Sequence, residues 1–83
     1  MPTIAIIDGV RLVMYWNDHP PAHFHAFFAE HRAVIDIETL DVTSGQLARS
    51  KVGAVLRWAA PRRAELLEAW NRVQMLLPQG RIE

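Results

Sequence analysis

The chain has no cysteine among its 83 residues. That removes both a disulfide framework and a thiolate metal site. A domain of this size lies near the small end of what a hydrophobic core can hold together alone. The apolar residues, 51% of the total, therefore have to supply the stability. No run approaches the roughly 18 continuous apolar residues of a membrane span. Net charge is missing too: nine basic side chains balance nine acidic ones, so whole-molecule electrostatics favour no class of partner. Internal repeats, low-complexity tracts and linkers are absent, and residues 1–83 read as one domain. The opening Met1-Pro2-Thr3-Ile4 lacks the basic start and small-residue cleavage site of a secretory signal. The expected location is cytoplasmic, with no membrane partner.

The first half of the chain has the pattern of strands. Thr3-Ile4-Ala5-Ile6-Ile7 is β-branched and short, Asp8-Gly9 follows, and Val10 to Trp16 is apolar again. Asp-Gly between two apolar runs signals a hairpin, because both central turn residues take positive φ. Pro20 and Pro21 donate no backbone hydrogen bond, so the strand cannot continue through Asn17 to Ala22. A third strand is expected over His23–Ala29, and a fourth from Arg32 or Ala33 to Glu38. Alternation puts Phe24, Ala26 and Phe28 on one face with Ala33, Ile35 and Ile37. The other face carries His23, His25 and Phe27 beside Val34, Asp36 and Glu38. A tight turn at Glu30-His31 pairs Phe28 with Ala33, and therefore His25 with Asp36 and His23 with Glu38.

After Thr43-Ser44-Gly45 the apolar period changes to about 3.6. Val52, Val55, Leu56 and Ala59 form one helical stripe, and Leu66, Leu67, Trp70, Val73 and Leu77 another, with Pro61 between them. Pro78 and Gly80 mark the end. The fold class that follows is α+β: a four-stranded, mainly antiparallel sheet of two hairpins, then two C-terminal helices, or one bent helix, packed on its aromatic face.

Chemistry concentrates in Asp18-His19-Pro20-Pro21-Ala22-His23-Phe24-His25. Histidines at i and i+2 project the same way from a strand. As a metal-free pair, His23 and His25 can give and take a proton near neutrality. His19 then assists, and Asp36 and Glu38 hold the rings across the hairpin. This reading needs no cofactor. The same rings also suit a divalent metal at His19, His23 and His25, such as zinc with an open position for water. The bland alternative is a set of half-buried histidines bonded to Asp36, Glu38 and the loop backbone. Tyr15, Asn17 and Asp18 shape the loop or touch a ligand. Tyr15 and Trp16, if exposed, would stack on bases, although aromatics that end a strand more often belong to the core. Residues 49 to 63 carry Arg49, Lys51, Arg57, Arg62 and Arg63 with no acid. Arg49 and Lys51 are the candidates there for contacting nucleic acid, although such a helix face is more often simply solvated. Trp58 lies off its stripe, at a core edge or a partner surface; Trp70 lies on its stripe, in the core.

The run Met14-Tyr15-Trp16-Asn17-Asp18-His19-Pro20-Pro21-Ala22-His23-Phe24-His25-Ala26 resembles a bacterial family, domain of unknown function 4160. The likeness extends to Met1-Pro2-Thr3-Ile4, Ile35-Asp36-Ile37-Glu38, Ser44-Gly45-Gln46-Leu47 with Arg49, Trp58-Ala59, and Glu65-Leu66 to Trp70. The chain departs from the usual pattern at three places. Leu40-Asp41 stands where a glycine turn is expected, Ala48 where a proline often starts the helix, and Pro61 where a histidine is frequent. The resemblance implies a toxin-like component of a type II toxin–antitoxin pair, with a small antitoxin-like partner protein. Asn17, Asp18, His19, Pro20, His23 and His25 are the motif residues carried over.

The expected function is thus a toxin-like protein acting on RNA or the translation machinery by histidine acid–base chemistry, in the manner of a metal-independent ribonuclease. Two rivals stand beside it. One is a non-catalytic, antitoxin-like binding module or homo-oligomer, suggested by apolar residues on both faces of the first hairpin. The other is a small histidine-ligated metalloenzyme.

Overall fold

The computed structural model describes residues 3–75. Thr3–Ile7 (β1) and Val10–Val13 (β2) form the first hairpin. Ile7 pairs directly with Val10. Asp8 and Gly9 take φ of 52° and 81°, the positive pair that a type I′ turn requires. A register irregularity between Thr3 and Ala5 allows the consecutive Ile4 and Ala5 both to be buried. Met14, Tyr15 and Trp16 lie past the end of β2, which is shorter than expected; Met14 is nevertheless fully buried.

Three further strands follow: His23–Phe28 (β3), His31–Asp36 (β4) and Val42–Gly45 (β5). The sheet order is β1-β2-β3-β4-β5, and each neighbouring pair is antiparallel. The sheet therefore has five strands, not four. Every residue of β5 is exposed, so it lacks the apolar alternation that announces a strand. Its ladder to β4 and Gly45 hold it in place. Gly45 has φ 75° and lies so close to the Arg32 carbonyl that a Cβ would collide with it.

The second hairpin turns at Ala29-Glu30, not Glu30-His31. Ala29 takes φ 54°, and Phe28 pairs with His31. His25 consequently lies opposite Val34 and His23 opposite Asp36. The expected His25–Asp36 and His23–Glu38 pairs do not form. The displacement is two residues, and the side-chain period of a strand is also two, so every side chain keeps its face. Phe24, Ala26, Ala33, Ile35 and Ile37 are all fully buried.

Arg49–Ala59 (α1) runs through a 3₁₀ turn at Ala60–Arg62 into Arg63–Gln74 (α2). The helical half is thus one joined run and not two separate helices. Pro61 sits at the start of the 3₁₀ turn, where its missing N–H is not needed. Val55, Ala59, Leu66, Ala69, Trp70 and Val73 close over Ile4, Leu12, Phe24, Ala26, Ile35 and Ile37. Burying a side chain such as Phe24 or Leu12 contributes about 1.5–3 kcal/mol. Trp70 is core as expected, and Trp58 is half-buried at the core edge, its ring under the Arg62 guanidinium. The opposite sheet face, which carries Arg11, Val13, His25, Phe27 and Val34, contributes nothing to this cluster. The expected stop at Pro78 and Gly80 and the stripe residue Leu77 lie outside the described residues. Among those described, no helix is long and apolar enough to cross a membrane.

Candidate functional site

The site begins where β2 stops. Asn17 takes φ 69°, a left-handed conformation that asparagine tolerates better than most residues, and the chain turns through Asp18 to the cis Pro20–Pro21 bond. It re-enters the sheet at His23. Asp18 is thereby placed at the mouth of β3, beside the two imidazoles that β3 presents on one side.

Both rings converge on one oxygen. His23 Nε2 and His25 Nε2 each lie 3.1 Å from Asp18 Oδ2. All three side chains are largely withdrawn from water, at 15%, 12% and 27% exposure for His23, His25 and Asp18. The ring centroids of His23 and His25 are 5.3 Å apart. Tyr15 meets His25 edge-on at 4.6 Å, and Trp70 lies against His23 at 5.0 Å. The aromatic walls fix both rings.

His23 Nδ1 lies 2.8 Å from the Pro21 carbonyl. A carbonyl only accepts, so Nδ1 carries the hydrogen. In a neutral ring Nε2 is then a bare lone pair, and it points at a carboxylate oxygen that is also an acceptor. Two acceptors do not bond. Either His23 carries a second proton, or a cation belongs between Nε2 and Asp18. His25 presents the complementary problem: among the described residues its buried Nδ1 has no partner, and its polar engagement there is through Nε2.

The remaining expected site residues have other tasks. Asp36 does not orient a histidine. Its Oδ1 accepts from the backbone N–H of Glu38 at 2.8 Å and of Thr39 at 3.0 Å, capping the turn after β4. Glu38 is exposed on that turn. The shifted register moves Asp36 from His25 to a place opposite His23 and leaves Glu38 beyond the ladder, and the turn's N–H groups, not the ring, take the Asp36 carboxylate. His19 is exposed on the loop. Lys51 reaches the Asp8 carbonyl at 2.8 Å and its carboxylate at 3.3 Å, at the hairpin-turn end of the sheet. Arg49 opens the same helix. Five residues of β3 separate that end from His23, roughly 17 Å of strand, so Arg49 and Lys51 are not part of the histidine site. Tyr15 and Asn17 are. Trp16 is 56% exposed, so of the two adjacent aromatics Tyr15 packs and Trp16 faces water.

Sequence reasoning did not find two contributors from α2, Trp70 against His23 and Gln74. The Gln74 side chain accepts from Asn17 N–H at 3.1 Å and donates to the Tyr15 carbonyl at 3.2 Å. No local pattern signals a contact over 57 residues of chain. Asp18 was legible as a motif residue but not as the carboxylate that both histidines share. A groove of about 470 Å³ lined by Phe28, Ala29, His31, Gln46, Leu47 and Ala48 also occurs. It lies at the hairpin-turn end, away from the converging ring nitrogens, and its only titratable lining residue is His31. The chemistry is better placed where the donor atoms meet.

Fold and site together define a small α+β protein with a His–Asp–His cluster at the mouth of its sheet. The profile of a family described as a domain of unknown function (DUF4160) matches residues 9–71, and the chain belongs to that family. The matched stretch includes Asp18, His23 and His25 and stops short of Gln74. No curated protein matches. No solved structure matches.

Proposed function

We propose that the protein binds a divalent first-row metal, zinc foremost, through Asp18 Oδ2, His23 Nε2 and His25 Nε2, and that this centre serves a toxin-like protein acting on RNA or the translation machinery. The single observation that carries the metal reading is the convergence of His23 Nε2 and His25 Nε2 on one Asp18 oxygen, with the His23 Nδ1 contact to Pro21 turning its Nε2 lone pair toward that carboxylate. A second proton on His23 would satisfy that ring alone, whereas a cation engages all three atoms. Anchoring the second ring nitrogen on a carbonyl is also the usual way a metal-bound histidine is oriented.

Dimensions support the reading. Ligands about 2.1 Å from a metal are roughly 3.0–3.4 Å from each other in octahedral or tetrahedral arrays. The two nitrogen–oxygen separations here are 3.1 Å, and all three ligand atoms lie within 4.8 Å of one another. Asp18, His23 and His25 would hold the ion and leave at least one position open, and a zinc ion held there would supply acidification of water. The toxin-like role and the partner protein rest on the family resemblance alone.

Two measurements test the two parts separately. Full-length protein purified without a histidine tag is titrated with zinc. Stoichiometric binding that is lost in His25→Ala and Asp18→Ala supports the centre; no binding and no thermal stabilisation would end it. Induced expression of wild type beside His23→Ala and His25→Ala, at matched folded levels, tests the toxic role. Equal growth arrest from all three would remove the part of the histidines in it, and unimpaired growth of the wild type would remove toxicity itself.

A second, non-catalytic reading is favoured by Ile6 on β1 and Val42 on β5, exposed at 46% and 39%. Apolar side chains on both outer strands suit a sheet that meets a partner chain. Light scattering across a dilution series tests for self-association.

A further inference from the structure

We infer that Gln74 is a positioning residue for the metal centre, holding the Tyr15–Asn17 backbone so that the Asp18 carboxylate reaches both imidazoles. This rests on the metal reading above. Gln74 lies beyond the stretch matched by the family profile, residues 9–71.

The Tyr15 carbonyl and the Asn17 N–H belong to residues i and i+2, the pair that one residue of a neighbouring parallel strand would engage. β2 has already ended at Val13, and no backbone group among the described residues takes either position. The Gln74 carboxamide takes both, with its oxygen 3.1 Å from Asn17 N and its nitrogen 3.2 Å from Tyr15 O. A single planar amide thus stands in for one rung of a strand. A carboxamide offers a donor and an acceptor side by side in one plane, and asparagine is a methylene shorter.

Asp18 follows directly on the residue so clamped. Asn17 has φ 69°, and that left-handed turn sends Asp18 toward β3 and not along the line of β2. Trp70 sits one turn earlier on the same face of α2 and packs against His23. The last two turns of α2 therefore grip the loop that carries the carboxylate and one of the rings. Releasing Gln74 frees the aspartate while leaving the hydrophobic core intact, since Gln74 is only half-buried at the helix end.

Gln74→Leu keeps volume and helix propensity and removes both hydrogen bonds. In the full chain, zinc affinity is expected to fall about 10–100-fold, the range for groups that orient metal ligands, with the metal-free thermal midpoint close to wild type. In metal-free protein the imidazole ¹⁵N resonances of His23 and His25 are expected to move as the Asp18 contact loosens. Unchanged zinc affinity in the variant, or imidazole resonances that superimpose on wild type, would overturn the assignment. Should Gln74→Leu not fold, Gln74→Glu retains the acceptor for Asn17 and loses the donor to Tyr15; a smaller loss of affinity is expected, and none would overturn it equally. Should wild type bind no zinc, the metal reading falls, and the imidazole comparison alone decides the role of Gln74.

Discussion

Replacing Asp36 separates the two carboxylates of the histidine region by role. Asp36 is 8% exposed, and one of its oxygens accepts from two consecutive backbone N–H groups at 2.8 and 3.0 Å. Hydrogen bonds to a charged acceptor contribute about 1.5–3 kcal/mol each. Glu38 and Thr39 are exposed, so water recovers part of that when the acceptor is gone. Asp36→Ala should therefore cost about 2–3 kcal/mol. For a domain of this size that lowers the thermal midpoint by roughly 10–20 °C. Asp36→Asn keeps an acceptor oxygen and loses only its charge, a cost of about 1 kcal/mol. Urea unfolding followed by tryptophan fluorescence measures both variants. Zinc affinity of the folded fraction should stay within about threefold of wild type, because Asp36 bonds no histidine and losing a group that hydrogen-bonds a metal ligand costs about tenfold or more. A stability loss below about 1 kcal/mol in Asp36→Ala, or a tenfold loss of zinc affinity, would refute the capping role and restore Asp36 to the site.

Three further outcomes are expected. Gly45→Ala forces a side chain into the Arg32 carbonyl at a positive φ, so it should destabilise by about 2–4 kcal/mol, with amide exchange rising first at β5. Ala48 already has φ −54° and ψ 140°, a conformation proline adopts unstrained, and Ala48→Pro should raise stability by about 0.5–1 kcal/mol through the unfolded chain; a loss in urea unfolding would count against it. His19→Ala should change zinc affinity less than about threefold, whereas His23→Ala should lower it by well over the roughly 10–100-fold that a supporting group commands, both read by competition with a chromogenic chelator.

The alternation in Phe24, Ala26, Ile35 and Ile37 was enough to assign faces, and the face of His23 and His25 came with it. The turn was misplaced because Glu30-His31 has no more turn character than Ala29-Glu30, and the residue that bends, Ala29, is an alanine at φ 54°. The error reassigned the cross-strand partners, so the carboxylate went to Asp36 and Glu38 when it belongs to Asp18. β5 was invisible because a strand exposed along its whole length has no period to read. The three departures from the family pattern acquire physical meaning. Leu40 has φ 60°, where a glycine would be unstrained; Ala48 holds a proline's dihedral; and Pro61 turns α1 into α2 through a 3₁₀ turn.

The three converging donors come from a short stretch of polymer. Asp18 is five residues from His23 and seven from His25, so the ring that closes through them is small and loses little freedom on closing. Distant packing from Trp70 and Gln74 then adjusts how tightly that ring is drawn, not whether its members are neighbours. A centre built this way tolerates change in the far helices as a graded loss of grip, and its parts could be moved as a cassette to any hairpin that begins with the same bend.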